Sequence, residues 1–490
     1  MTNELPLRAS DTAALASYFS GLPFEAIPND VLDETRLVIL DTLGCVIAAR
    51  GTEIGPVTAS LAECLGAGEL GEAYAVARLA NAMDLDEGTP SGSHFGCGAI
   101  GAALALARRP GTLGREFLAS VAIGYEIGGR ISEAIGPYFK TSAGAAKSFA
   151  DVWGVATPVV FAAVGAACRS LRHDAAMTAQ AYGSAGSATP VPIGAKWAGE
   201  TDLPNTKYCD AGWCALVGVF GARSAMLGSS SLGGILDGRN GLLAMVAAQN
   251  PRPEILTADL GSRWRIRQVL YKKWPCCRWI HYPLTALAGL VETFKLTADE
   301  IEEVVAGVGF AATSARFANQ QPDSFTKFQF SIPHAVAMLL LDVPPGPAWL
   351  CRDLARHPRV RELRSKVRVV EHHTPWQFPD FRDGAADAIR RMSSGVHLAA
   401  RGRRFVAETD FAFGDSYSEL KWGKEEVIAK FRSLVAADQA DRIIDALWNL
   451  DAPGALADLL DAFDLARPGA SPGASQLSSR TTEVLIRTFA

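Results

Sequence analysis

The sequence predicts a mainly helical protein that carries a mixed α+β insert. Ala- and Gly-rich segments with apolar residues at helical spacing run from Ala13 to about Leu260, and beyond that point valine-rich runs with β character alternate with helical ones. The 490 residues, 49% hydrophobic against 20% charged, supply enough apolar material for a large interior and about three times a typical domain length.

Pro28-Asn29-Asp30 is a helix start, and Leu32, Ile39, Leu43 and Val46 form the apolar stripe of the helix that Arg50-Gly51 ends. Helical patterns recur over Gly98–Arg108, Glu116–Ala134, Val155–Leu171, Ala215–Leu227 and Leu242–Ala248, with no fixed repeat period. Val155 to Cys168 is the longest apolar stretch; it falls short of the roughly 20 residues a membrane span needs and predicts a buried helix instead. Val304–Phe310 and Val367–Val370 read as strands. Val396–Ala400 and Arg404–Glu408 read as a hairpin about Arg401-Gly402. From Glu425 onward Ile428, Phe431, Leu434 and Val435 mark a further helix, and the Pro-Gly-Ser-rich segment Arg467–Ser479 reads as a linker.

Forty-seven basic against 52 acidic residues leave a net charge of −5, which removes the electrostatic footprint of a nucleic-acid binder. Met1–Pro6 shows neither a cationic nor an apolar leader, so no secretory signal or membrane anchor is predicted. Nine cysteines in so long a chain are too sparse for a disulfide scaffold and fit the reducing cytoplasm. Gly96, Gly98 and Gly101 match the G-x-G-x-x-G pattern without the preceding strand that dinucleotide binding requires. A calcium loop opening at Asp84 would have Phe95 at its twelfth position, where a bidentate Glu belongs. No C-x-x-C is present, which counts against structural zinc and iron–sulfur chemistry.

What remains is a Gly/Ser-rich loop bearing Asp84, Asp86, Glu87 and, ten positions after Asp84, His94. Such a run can be a solvated turn, or it can set an acid–base pair in a cleft. Lys207 precedes a small-residue helix, where a surface lysine is the ordinary expectation. Tyr271 to His281 crowds aromatic, cationic and thiol side chains around Pro275; the bland reading is core packing, and the other is a site for an anion.

Taken together these segments resemble the MmgE/PrpD family. The resemblance rests on Asp41-x-x-Gly44, Met83 to Glu87 followed by His94, Gly124-Tyr125-Glu126 with Arg130, Thr206-Lys207 with Gly212, Lys272-x-x-Pro275 with His281, Phe330 to Pro333 with Ala335, and Lys430-Phe431. It implies a large helical domain built from both chain ends, residues 1–265 and 410–490, and a smaller α/β lid of residues 266–409 over the active cleft, in a homodimer. It also implies catalysis without metal or organic cofactor, on a small carboxylate-bearing substrate, through proton movement at the carbon next to the carboxylate. By the same resemblance Asp84 and His94 are the catalytic loop pair, Lys207 and Lys272 contact the substrate carboxylate, and His281 closes a motif in the lid.

The departures from the family pattern are Gly88 in place of Thr, Asp151 and Asp210 in place of His, Cys277 in place of the decarboxylase His, and Phe317 near its Tyr. At about 5 Å and an effective dielectric of about 20, one charge pair is worth roughly 3 kcal/mol. If Asp151 and Asp210 face the cleft, a tricarboxylate is poorly held and a substrate with fewer carboxylates, or with an amine, is favoured. Trp153, Trp213 and Trp274 offer bulk or aromatic contact beside an ordinary role in the core. The leading expectation is a dehydratase-like lyase acting on a hydroxy-acid-like substrate. The alternatives are an epimerase or isomerase of an amino or imino acid, and a non-catalytic member.

Overall fold

A computed structural model describes residues 10–66, 68–246, 251–378 and 390–464; the expected linker at Arg467–Ser479 lies outside them. The architecture is mainly α with an α+β insert. Among the described residues, nine helices of eleven or more residues come before residue 230, and a four-stranded sheet follows residue 300.

The early helices begin and pack as their sequences dictate. Asn29–Ala49 starts directly after Pro28 and carries Asp30 in its first turn, where the helix dipole favours an acid. Thr157–Ser170 opens on Pro158, and every residue from Thr157 to Cys168 is buried. Asp174 and Asp210 cap Ala175–Ser187 and Ala211–Met226 by accepting from Met177 N and Gly212 N. Small residues then let these helices touch backbone to backbone. A Cβ on Gly98 would lie 2.5 Å from Val159 O, and one on Gly218 would lie 2.6 Å from Val164 N. The glycines of the G-x-G-x-x-G pattern therefore sit in the helix Gly96–Ala107, and Gly98 serves close helix contact.

The sheet is built from β3 (Ile301–Val308), β4 (Val367–Glu371), β5 (Ser394–Ala400) and β6 (Arg403–Thr409), in the order β4-β3-β5-β6. β3 runs parallel to β4, with Val304 opposite Val367, and antiparallel to β5, with Val304 opposite Leu398. The expected hairpin joins β5 to β6, and both turn residues are left-handed: Arg401 at φ 55° and Gly402 at φ 64°. The helix Arg278–Phe294 packs on β5 and β6, and Ile332–Leu340 on β4.

A second ribbon stands where the composition predicts none. β1 (Phe139–Ser142) and β2 (Ala145–Phe149) pair through a turn at Ala143 and Gly144. Its sequence has little β propensity, and tertiary contacts hold it: Ala146 N donates to Trp376 O at 3.0 Å, and the rings of Phe139 and Phe149 stack at 5.3 Å. Among the described helices none is long and apolar enough to cross a membrane.

The chain's late helices return to its first. Lys424–Leu434 packs on Asn29–Ala49, with Phe431 against Gly44. Lys430 Nζ donates to Asp41 Oδ1 at 2.6 Å inside this contact, and both side chains are buried. Breaking a buried pair strands the remaining charge. Lys430→Met is expected to lower unfolding free energy by about 3–5 kcal/mol, read as a shift of the urea midpoint; an unchanged midpoint rejects the structural role of this pair.

Candidate active site

The helix Glu69–Ala82 ends at Met83, and a buried loop leads to the helix that starts at Gly96. Asp84 stands in this loop at φ 54°, a left-handed conformation that costs a non-glycine residue on the order of 1–3 kcal/mol. Charge holds it there. Lys207 Nζ lies 3.0 Å from Asp84 Oδ1, and Lys272 Nζ lies 3.2 Å from the same oxygen. Each ammonium also takes a main-chain carbonyl: Lys207 that of Asn81, in the last turn of the preceding helix, at 2.6 Å, and Lys272 that of Asp84 at 2.9 Å. Lys430 holds the carbonyl of Leu85 at 2.7 Å. Burial pushes the Asp84 carboxyl up, but Lys207, Lys272 and His94 pull it further the other way, well below the usual carboxylate range.

His94 Nδ1 lies 2.6 Å from the main-chain oxygen of Glu87. A carbonyl can only accept, so Nδ1 carries the proton and Nε2 keeps its lone pair. Burial, joined by the charge of Lys272, lowers the imidazole to about 4, against the opposing pull of Asp86 and Asp84. Asp86 Oδ2 lies 3.8 Å from Nδ1, and Asn81 Nδ2 holds that same carboxylate oxygen at 3.0 Å.

Glu87 moves the other way. Its Oε1 accepts from Gly96 N at 2.8 Å and its Oε2 from the Tyr125 hydroxyl at 3.1 Å, yet burial and the Asp86 charge raise it to about 8. A side chain at 96 would strike this carboxyl, since a Cβ there would lie 2.5 Å from Oε1.

The loop faces a cavity with about 690 Å³ of space outside atoms. Of the residues singled out in the sequence, Asp84, Gly88, His94, Cys277 and Phe317 line it. Gly88 bridges to Leu270 through paired main-chain hydrogen bonds of 2.9 and 2.8 Å, and a Cβ on it would touch His94 Cε1 at 3.6 Å. Cys277 caps the helix Arg278–Phe294, and burial, with Asp84, pushes its thiol up to about 12.

Lys207 and Lys272 are absent from the cavity wall and stand behind Asp84, which engages them both. His281 is buried behind the wall, with Nε2 3.3 Å from Cys276 O and its ring 5.3 Å from that of Trp274. Asp151 is 87% exposed on its side chain and pairs with Lys140 at 2.8 Å. Asp210 caps its helix and binds Arg78 and the Tyr74 hydroxyl. Trp153 is on the wall, whereas Trp274 is in the core and Trp213 is exposed.

Sequence reasoning missed two arginines on the wall, Arg316 and Arg390, and the ring of Trp197; Arg278 and Trp279, also on the wall, belong to the Tyr271–His281 run read as core packing or an anion site. Arg316 had a readable signal, since no acid occurs within four residues on either side of it.

Two family models match the chain: the MmgE/PrpD N-terminal domain over residues 13–254 and the MmgE/PrpD C-terminal domain over residues 274–452. The chain belongs to the MmgE/PrpD family. Among curated relatives it is similar to the cis-aconitate decarboxylase of Aspergillus terreus, 24% identical over 73% of this chain and 77% of that one. It is also similar to the human enzyme of that name, 23% identical over 90% and 92%, and to the mouse one, 24% identical over 96% and 97%.

Glu87 makes stability depend on pH. Its folded value of about 8 lies above its ordinary 4.5, so its contribution is complete below pH 4.5 and is lost as pH rises through about 8. Glu87→Gln keeps the neutral shape. It is expected to match the unaltered protein at pH 4.5 and to exceed it at pH 8.5 by on the order of 5 kcal/mol, measured by denaturant titration at both values. Equal differences at the two pH values contradict this.

Proposed function

We propose that the chain is a cofactor-independent lyase that removes a proton from the carbon next to a substrate carboxylate and expels water, as a dehydratase does. The observation that carries this reading is His94, a neutral imidazole on the cavity wall, its Nδ1 proton given to Glu87 O. A base at neutral pH must be unprotonated, oriented and within reach of substrate, and His94 meets the first two by its surroundings. As Nε2 takes the proton, Asp84 and Asp86 stabilise the imidazolium. That imidazolium then returns the proton to the departing hydroxyl, so the step ends with water, an alkene and the original imidazole.

Relatives named as cis-aconitate decarboxylases support the lyase class. Cys277 and Phe317 on the wall support loss of water over loss of carbon dioxide, because by the family resemblance they stand in place of the decarboxylase His and Tyr. The amino-acid alternative drew on Asp151 and Asp210, and both acids are paired away from the cavity. The same reading takes residues 266–409 as a lid over the helical domain and the chain as a cytoplasmic homodimer.

His94→Gln is expected to lower kcat by about 10²–10⁴ while circular dichroism shows the fold intact, with alkene formation followed by ultraviolet absorbance across a panel of hydroxy acids. With His94 unprotonated down to about pH 4, kcat/KM should hold between pH 8 and 5 and fall below about 4. Full activity in the variant, or activity abolished by a chelator, overturns the reading.

A further inference from the structure

The cations around the cavity are not equally available. Lys207 and Lys272 are engaged by Asp84. Arg278 is bound to Asp415 and to the carbonyl of Tyr271 at 2.8 Å. Arg390 gives Nη1 to Pro90 O at 2.9 Å and turns Nη2 to the sulfur of Met392 at 2.8 Å.

Arg316 has fewer hydrogen-bond partners than any of these, although Arg390 too has no acidic partner among the described residues. It is 4% exposed, has no acidic partner among the described residues, leaves Nε without an acceptor, and reaches only Trp197 O, at 3.4 Å. Its guanidinium lies over the Trp197 ring, 4.4 Å from the centroid, and is flanked by the Phe317 and Phe330 rings at 5.1 and 5.8 Å. A buried guanidinium without an anion is costly, and burial pulls this one down to about 10. A planar carboxylate is the partner its geometry suits.

The rest of that wall is aromatic. Trp197, Phe330, Phe317 and Trp279 form an unbroken run, with successive ring centroids 5.1, 5.9 and 5.5 Å apart, and Trp153 also lines the space. A second or third carboxylate in such a cavity would leave water for ring faces, without compensation. From these contacts we infer that the cavity takes a monocarboxylate with an aromatic or comparably bulky apolar body, its carboxylate on Arg316 and its body against these rings. Arg316 is thus the specificity-determining residue for the one acid group, and the ring faces around it turn away tricarboxylates.

The inference rests on reading the cavity as the reaction site, and a binding measurement separates the two. Calorimetric titration of the full-length protein with 3-phenylpropionate, its amide and citrate should show the acid binding at least about tenfold more tightly than either of the others. Arg316→Gln should weaken the acid at least about tenfold and leave the amide unchanged. Citrate binding as tightly as the acid, an amide equal to the acid, no detectable binding of the acid, or an unaffected folded Arg316→Gln variant each overturns the inference. If that variant does not fold, the acid and amide compared on the unaltered protein decide the matter. Selectivity without turnover of any hydroxy acid defeats only the lyase reading; turnover without selectivity defeats only this one.

Discussion

The carboxylate of Asp84, buried between two ammonium groups, is the constraint on which the rest of the cavity depends. Taking three charges out of water is costly, and their attraction recovers that cost only where the remaining donors and acceptors are satisfied. Here they are satisfied by the main chain: Lys207 and Lys272 each donate to a main-chain carbonyl as well as to Asp84. The arrangement explains why two non-glycine residues, Asp84 and Lys207, both persist at φ 54°. It also explains why Lys207 and Lys272 point their charge inward.

Two opposite protonation states stand within a single loop beside that charge cluster. Positive charge behind Asp84 acts with burial to keep His94 unprotonated, while Asp86 acts with burial to keep Glu87 protonated. Neighbouring groups pushed apart in this way can play different parts at one pH. The aromatic wall opposite completes the low-dielectric setting in which such shifts are sustained.

How far the sequence revealed this depends on the range of the interaction. The helix start at Pro28 and the turn at Arg401-Gly402 are local and were readable. The loop bearing Asp84 and His94 stood out because its residue types are rare together. The ribbon at Phe139–Phe149 was hidden, since its stability comes from contact with Trp376 and not from its own composition. The lysines were recognisable as cations, but that they serve Asp84 is a contact spanning 123 and 188 positions. Arg316 was passed over because its significance lies in what it does not touch.

The link from Lys430 to the carbonyl of Leu85 joins residues 345 positions apart. A ribosome makes the acid–base loop early and the clamp that finishes it late, so throughout synthesis the half-built cleft holds its own backbone less firmly than the released chain does. Long-range closure of this kind is slow and leaves apolar walls uncovered in the meantime. The loop bearing Asp84 and His94 therefore lacks this clamp until Lys430 has been made.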